Sequence, residues 1–461
     1  MAVVAGAATA GAASSWKFPD VRGEVQSAWN SMKAGFEGVI NNIRVSGLQV
    51  DQGIYPLAFM VGLLLLFVIV IIWYIHQVRF LATPGNIARI LNENIKAESH
   101  YITDAPKRKG LPALCKKLRE EEGYTEDDLI LTNFYTYSVN ATGLFFPAKN
   151  GVVSTDAAKL AVLAGARCFV FDIWPDMEPH GDFGPVIEAM DEGSLWRRTT
   201  LNALSLATIL PAVVQTALPL AGNTYIPPDP GSLLQIPPLG PNQGQGQQDP
   251  VFLYLRFRGA PRPSTFDHVA DVLESTILPY RLDAKFNHCR RADELFKIHM
   301  RHLFSKVVVM SNTQGSGRFS DFVNFAPRTG ILMEYQADQL QLITGDSAAE
   351  AKKKILMNPS FVAPMSEDKL AQTNAFSISM AQKLGIHFVA MDLWTKGDGP
   401  QLKAYQQMFS PYSFSFKPAD LRYTINHLTP PQTAPNPDWG NAAEGQAGML
   451  RAPAAIQFPG T

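Results

Sequence analysis

From Ile54 to Ile75 the chain runs for 22 residues, IYPLAFMVGLLLLFVIVIIWYI, without a formal charge. As a helix that run rises about 33 Å, enough to cross a hydrocarbon core of about 30 Å. Tyr55 at one end, and Trp73 and Tyr74 at the other, stand where amphipathic rings favour a membrane interface. A helix buried in a protein core rarely stays apolar on every face for this long, so the run predicts one transmembrane helix over 54–76. It is too long for a removable signal peptide, and 53 residues precede it.

Upstream, Phe18, Val21, Val25, Trp29, Met32, Phe36, Val39 and Ile43 recur at three- and four-residue steps. This predicts an amphipathic helix over 17–46, suited to a membrane surface or a partner helix. Residues 1–16 are small-residue low complexity and read as disordered. Downstream, 77–124 reads as a juxtamembrane linker and 125–428 as one large domain. Strand-like runs cover 129–139, 167–174, 250–257, 306–310, 386–394 and 412–418, with helical patterns at 154–166, 265–278 and 291–304. Strand, helix, strand at this spacing predicts an α/β fold with a parallel sheet, and the length suits a closed eight-stranded, TIM-barrel-like domain. Residues 219–250 hold eight prolines and five glycines and predict an exposed loop, a candidate protein-partner segment alongside 17–46. The tail over 429–461 reads as disordered.

Net charge is −1, which gives no electrostatic footprint for nucleic acid. Cys115, Cys168 and Cys289 are odd in number and widely spaced, so they suit neither a disulfide framework nor a C-x-x-C metal site. Arg79, Arg89, Lys96 and PKRKG follow the apolar run, whereas Arg44, offset by Asp51, precedes it; the positive-inside bias puts the C-terminal domain in the cytoplasm. The sequon Asn140-Ala141-Thr142 would matter only in a lumenal domain. His288, Cys289, His299 and His302 lack an acidic anchor and zinc-like spacing, so no metal site is expected there. The run AEAKKKIL reads as a solvated helix face whose lysines could touch anionic headgroups near a bilayer.

Several stretches, YSVNATG, LAGARCFVFDIWPD, DPVFLYLRF, HLFSKVVVMSN, FSDFVNFA and LGIHFVAMDLWTKGDGPQLKAYQQMFSPYSFSFKPADLR, occur in one order over roughly 125–425. That series resembles the catalytic barrel of phosphoinositide-specific phospholipase C, which is split into two sequence regions by a variable linker. The resemblance implies a barrel that cleaves phosphodiesters of phosphoinositide lipids with two histidines and a bound calcium ion. It also implies where those groups should stand. The first histidine falls on Val139, and the second on Ala189 or Met190 in GPVIEAMDEG. Of the calcium ligands, Asn140 and Asp172 remain, while the other acids fall on Val170 and Arg256. Of the phosphate-binding lysines only Lys306 lies near, upstream of its expected place.

Valine transfers no proton, and one carboxylate with one amide leaves a divalent cation underliganded beside a guanidinium. The sequence therefore predicts a site remnant of Asn140, Asp172, Arg256 and Lys306 at the barrel mouth, with Arg256 paired to Asp172, no catalytic residue, and no cofactor. The expected function is a membrane-anchored binding or scaffold barrel without catalysis. Two alternatives stand beside it: an active calcium-dependent phosphodiesterase drawing its acid and base from His180, Glu178 or His387, and a phosphoinositide-headgroup binder without turnover.

Overall fold

The computed structural model describes residues 54–81, 83–98, 109–145, 151–174, 186–187, 200–218, 248–259, 261–327, 332–363, 377–394 and 399–425, with Asn30, Ala34 and Glu37. The chain divides into two units, Met1–Phe80 and Leu81–Thr461. In the first, helix α1 (Ile54–Leu81) carries the apolar run, and by length and composition it is the one described helix able to cross a membrane. Asn30, Ala34 and Glu37 are helical, while the rest of 17–46, residues 1–16 and the 429–461 tail lie outside the described residues.

The second unit opens with two helices where the sequence reads as a linker. Helix α2 (Pro84–Ala97) starts on Pro84, whose fixed φ and missing N–H suit a first turn, and it buries Leu91 and Ile95. Helix α3 (Leu111–Glu120) buries Leu111, Leu114, Cys115 and Leu118, a spacing of three and four that puts all four on one face. These four belong to the apolar cluster that fills the barrel interior, so α3 is a plug rather than a tether.

Among the described residues twelve strands follow: β1 (Phe134–Val139), β2 (Leu144–Phe145), β3 (Val152–Val153), β4 (Cys168–Trp174), β5 (Val186–Ile187), β6 (Leu204–Ser205), β7 (Val251–Phe257), β8 (Val307–Ser311), β9 (Met333–Tyr335), β10 (Ser360–Val362), β11 (Phe388–Met391) and β12 (Phe414–Phe416). Seven of them form a parallel series in the order β8-β7-β4-β1-β11-β10-β9. Helices α4 (Thr155–Leu163), α5 (Leu206–Ala217) and α6 (Pro263–Ile277) cover the outside between β3 and β8. The series curls, but no pairing joins β8 to β9 among the described residues. Residues 324–325 satisfy the free edge of β8 instead: Asn324 Oδ1 accepts from Val309 N at 2.9 Å, and Ser311 N donates to Phe325 O at 3.0 Å. The fold is thus TIM-barrel-like, and among the described residues the ring that the sequence suggested is not closed between β8 and β9.

Strand parity sorts the core into two layers. Phe134, Cys168, Val170, Phe252, Tyr254, Val308, Met310, Phe361, Phe388 and Ala390 pack inside. Val139, Phe169, Phe171, Leu253, Leu255, Val309, Val362 and Val389 pack outward against the helices. The helix expected over 291–304 is broken: Ala292–Phe296 forms a short helix, His299 bridges to Ile130, and Met300–Leu303 makes a 3-10 turn that buries Met300 and Leu303 under the barrel. Burying those two side chains overrides helical continuity there. Of the Pro/Gly-rich 219–250 segment, 248–250 are described, and Asp249 is buried, accepting from Leu111 N at 2.5 Å and from Arg167 Nε at 3.1 Å. That carboxylate fastens the N-terminus of α3 to the barrel floor.

Candidate functional site

Because the series is parallel, the strand C-termini meet at one end, the mouth, and the N-termini at the other, the floor. Parity then decides which mouth residues face inward. On β4 the inward positions run Cys168, Val170, Asp172; on β7 they run Phe252, Tyr254, Arg256. Asp172 and Arg256 are register partners on adjacent strands. Past the end of β1, Asn140 continues the inward face, and past β11 Asp392 continues that of Phe388 and Ala390.

These residues form one network. Arg256 grips Asp172 with two parallel bonds, Nε to Oδ1 at 2.7 Å and Nη2 to Oδ2 at 2.9 Å. The same Nη2 donates to Asn140 Oδ1 at 2.9 Å, and Asn140 Nδ2 donates to Asp392 Oδ1 at 2.8 Å. Arg258 adds a further bond, Nε to Asp172 Oδ1 at 2.9 Å. The Arg256 side chain is 5% exposed, Asp172 20% and Arg258 26%. Paired, planar contacts of this kind are the strong form of the carboxylate–guanidinium bond. Below them the Tyr254 hydroxyl donates to Glu334 Oε2 at 2.9 Å, bringing in a carboxylate from β9. Asn312 Oδ1 accepts from Phe257 N and its Nδ2 donates to Phe257 O, so a side-chain amide extends the β7–β8 ladder by one step.

Burial alone would raise the Asp172 pKa, but the Arg256 and Arg258 charges and hydrogen bonds outweigh it and hold the carboxyl below its ordinary range. Burial likewise works against the Arg256 cation, and Asp172 outweighs it, leaving the guanidinium pKa above its ordinary value. Tyr254 is pushed well up by burial and by Glu334. The described mouth groups with shifted titration, Asp172, Tyr254 and Arg256, are thereby each moved away from neutrality.

Asn140, Asp172 and Arg256 thus come together. Other expected positions do not join them. Val139 is buried and faces the outer layer, because a residue between inward-facing Ser138 and Asn140 must point the other way. Lys306 precedes β8, where its carbonyl accepts from Val251 N at 2.9 Å. It lies at the floor, about 20 Å from the mouth along six residues of strand. His387 also lies at the floor, just before β11, with Nε2 3.0 Å from Thr132 O. Ala189, Met190, Glu178 and His180 fall outside the described residues. Among the described residues no histidine hydrogen-bonds to the mouth network, and no cluster of three histidine, cysteine or acidic side chains is arranged to hold a metal.

As arranged, the remaining donors do not fit a calcium ion. Asn140 Oδ1 and both oxygens of Asp172 accept from guanidinium N–H groups, and a cation of radius and charge like calcium needs six to eight oxygens turned toward it. The sequon at Asn140 is equally committed, since its amide nitrogen donates to Asp392 and the residue is buried. Two mouth residues escape sequence reasoning, Asp392 and Arg258. Each carries the same signal as Asp172, an even step beyond a run of inward-facing positions.

No protein-family model and no curated protein matches the chain. Solved structures similar to it include PLC21 of S. officinalis, at 13% identity and TM-score 0.47 over 68% of this chain, and PLC21 of L. pealei, at 13% identity and TM-score 0.47 over 65%. A further similar structure is the phosphatidylinositol-specific phospholipase C of Listeria monocytogenes, at 10% identity and TM-score 0.35, covering 61% of this chain and 94% of that one. The chain spans 42% and 38% of the length of the two PLC21 structures.

Proposed function

We propose that this protein is a membrane-anchored barrel of the phospholipase C type that does not hydrolyse phosphodiesters and serves as a binding or scaffold surface. The observation that carries the reading is the Arg256 side chain, set between Asp172 and Asn140 and hydrogen-bonded to both. A fixed monovalent cation takes the position from which a divalent ion would polarise a phosphate, and its charge is spent on Asp172. Val139, turned away from the mouth, supplies no base. Helix α1 would anchor the protein in a bilayer, with the barrel in the cytoplasm by the basic residues that follow the span. Residues 17–46 and 219–250 are the segments proposed for protein partners.

A second reading, retention of a phosphoinositide headgroup without turnover, is favoured by Arg258, which places a second, more exposed guanidinium on the same carboxylate. Both readings require no cofactor. The test is hydrolysis of phosphatidylinositol in mixed micelles by the full-length, detergent-solubilised protein, with added calcium and with chelator. The expected result is no inositol phosphate release in either condition. Release that stops with chelator overturns the proposal and returns Asn140 and Asp172 as metal ligands. Binding of the same micelles without release supports the second reading.

A further inference from the structure

The floor of the barrel carries two titratable side chains that the mouth does not use. Lys417, directly after β12, is 1% exposed, and His387, directly before β11, is 2% exposed. Lys417 Nζ donates to Gly385 O at 2.8 Å and lies 5.3 Å from the Tyr135 ring centroid. No carboxylate pairs with it among the described residues. His387 has both ring nitrogens committed. Nδ1 accepts from Ser360 N at 3.3 Å and stands 2.9 Å from Ser360 Oγ, while Nε2 faces Thr132 O at 3.0 Å. A backbone N–H can only donate and a carbonyl can only accept, so the neutral ring with its proton on Nε2 is the one these partners fit. A second proton, on Nδ1, would point at the Ser360 N–H and break that contact.

Lys417 belongs to the strap itself, and His387 holds the turn before β1 at Thr132 O, next to the Asn133 on which the strap is fastened. Strand β12 runs antiparallel to the start of β1, Phe134 opposite Phe416 and Thr136 opposite Phe414. Lys417 N donates to Asn133 O at 2.9 Å, and the Asn133 side chain is bonded on both sides to Tyr423. The charged and titratable groups around the pair are few. From β1 comes Tyr135, whose hydroxyl donates to Gln382 O. From the 418–423 turn come Arg422, which donates to Lys417 O, and Asp420, which pairs with Lys352 at 3.8 Å on the helix over 346–357. β10 contributes Ser360, the turn before β1 contributes Thr132 O, and the helix over 292–296 contributes the apolar Phe296 ring, 4.8 Å from His387.

We propose that the barrel floor is an acid-sensitive latch, in which neutral Lys417 and His387 hold β12 and the 418–423 turn on β1, and protonation of either releases that strap. Burial opposes charge on both and lowers the pKa of each, and at His387 the Lys417 charge adds to that cost. Release needs only protons from solvent, one for each group that becomes exposed.

Linkage fixes the sign. For each group, the closed strap binds fewer protons than the open one between the group's closed-state and open-state pKa values. In that window the opening equilibrium rises about tenfold per pH unit of acidification. For Lys417 the window starts at an open-state pKa of about 10.4, and for His387 at about 6.5.

The experiment is hydrogen–deuterium exchange of the full-length protein in detergent, from about pH 9 to about pH 5, with labelling times scaled to the intrinsic rate. Peptides covering 412–425 are compared with peptides covering β7. The expected result is strap protection that falls about tenfold per unit of acidification over part of the range, while β7 stays protected. Lys417→Met should flatten the dependence above about pH 6.5, and His387→Gln should remove the added dependence below it. Lys417→Met keeps the apolar stem, and near-ultraviolet circular dichroism verifies its fold; if it does not fold, His387→Gln alone decides by the lower limb. Strap protection independent of pH, loss shared equally by β7, or an unchanged slope in the folded variants each overturns the latch.

Discussion

Replacing Arg256 by methionine keeps a long apolar stem and removes the guanidinium, which isolates its electrostatic role. Three bonds are lost: two to Asp172, at 2.7 and 2.9 Å, and one to Asn140, at 2.9 Å. What remains on Asp172 is the single Arg258 bond at 2.9 Å. Removing one partner of a buried pair typically costs 3–5 kcal/mol, so with Arg258 still present and Asp172 partly exposed the cost should fall near the lower end, about 3 kcal/mol. Removing both partners, as Arg256→Met with Asp172→Leu, should cost less than Arg256→Met alone, because no buried charge is stranded. Urea unfolding of the barrel in detergent, followed by tryptophan fluorescence, reads wild type, Arg256→Met, Asp172→Leu and the double variant.

The pH dependence supplies a second arm. The folded-state pKa of Asp172 is depressed, so its contribution is fully present above its unfolded value of about 3.9 and is lost as pH falls through the folded one. In Arg256→Met the carboxyl titrates higher and protonates first, so the gap between wild type and variant should be widest near neutrality and close in acid. A cost below about 1 kcal/mol at neutral pH, or a double variant as damaged as the sum of its parts, would refute the pairing as a stabilising unit.

Three further outcomes follow from the same geometry. Arg256→Glu turns the mouth into a set of oxygen donors with Asn140, Asp172 and Asp392; added calcium should then raise the melting temperature of the variant, by about 2.7 kcal/mol of stabilisation at a hundredfold excess over Kd, and leave wild type unmoved. Asp249→Ala removes the carboxylate shared by Leu111 N and Arg167 Nε, and should cost about 3 kcal/mol, with the amides of α3 losing exchange protection first. Gly315 has φ +69° and an added Cβ would run into the Phe319 ring, so Gly315→Ala should cost about 2 kcal/mol or more in the same denaturation assay.

The long barrel strands were legible because each is a run of apolar, β-branched and aromatic residues with chemistry only at its end. The expected runs at 167–174 and 250–257 match β4 and β7 to within a residue. Strands β9 and β10 escaped because three residues give too little periodicity to stand out. α3 fell within the span read as a juxtamembrane linker, although Leu111, Leu114, Cys115 and Leu118 are spaced as a helix face, because the charges from Lys116 to Glu122 interrupt so short an apolar pattern. At the mouth, Asp172 and Arg256 were legible through the family resemblance, and adjacent-strand register brings them together, while Lys306, directly before β8, stands at the opposite end of its strand. Val139 carries the sharper lesson. A residue's type says whether it can transfer a proton, but strand parity says whether it faces the place where that would matter.

The most direct measurement is a crystal structure of the barrel mouth grown in millimolar calcium with an inositol phosphate. The expected result is Arg256 bonded to Asp172 and Asn140, with no metal between them. A calcium ion bound by Asp172 and Asn140, with Arg256 swung aside, would contradict the central claim.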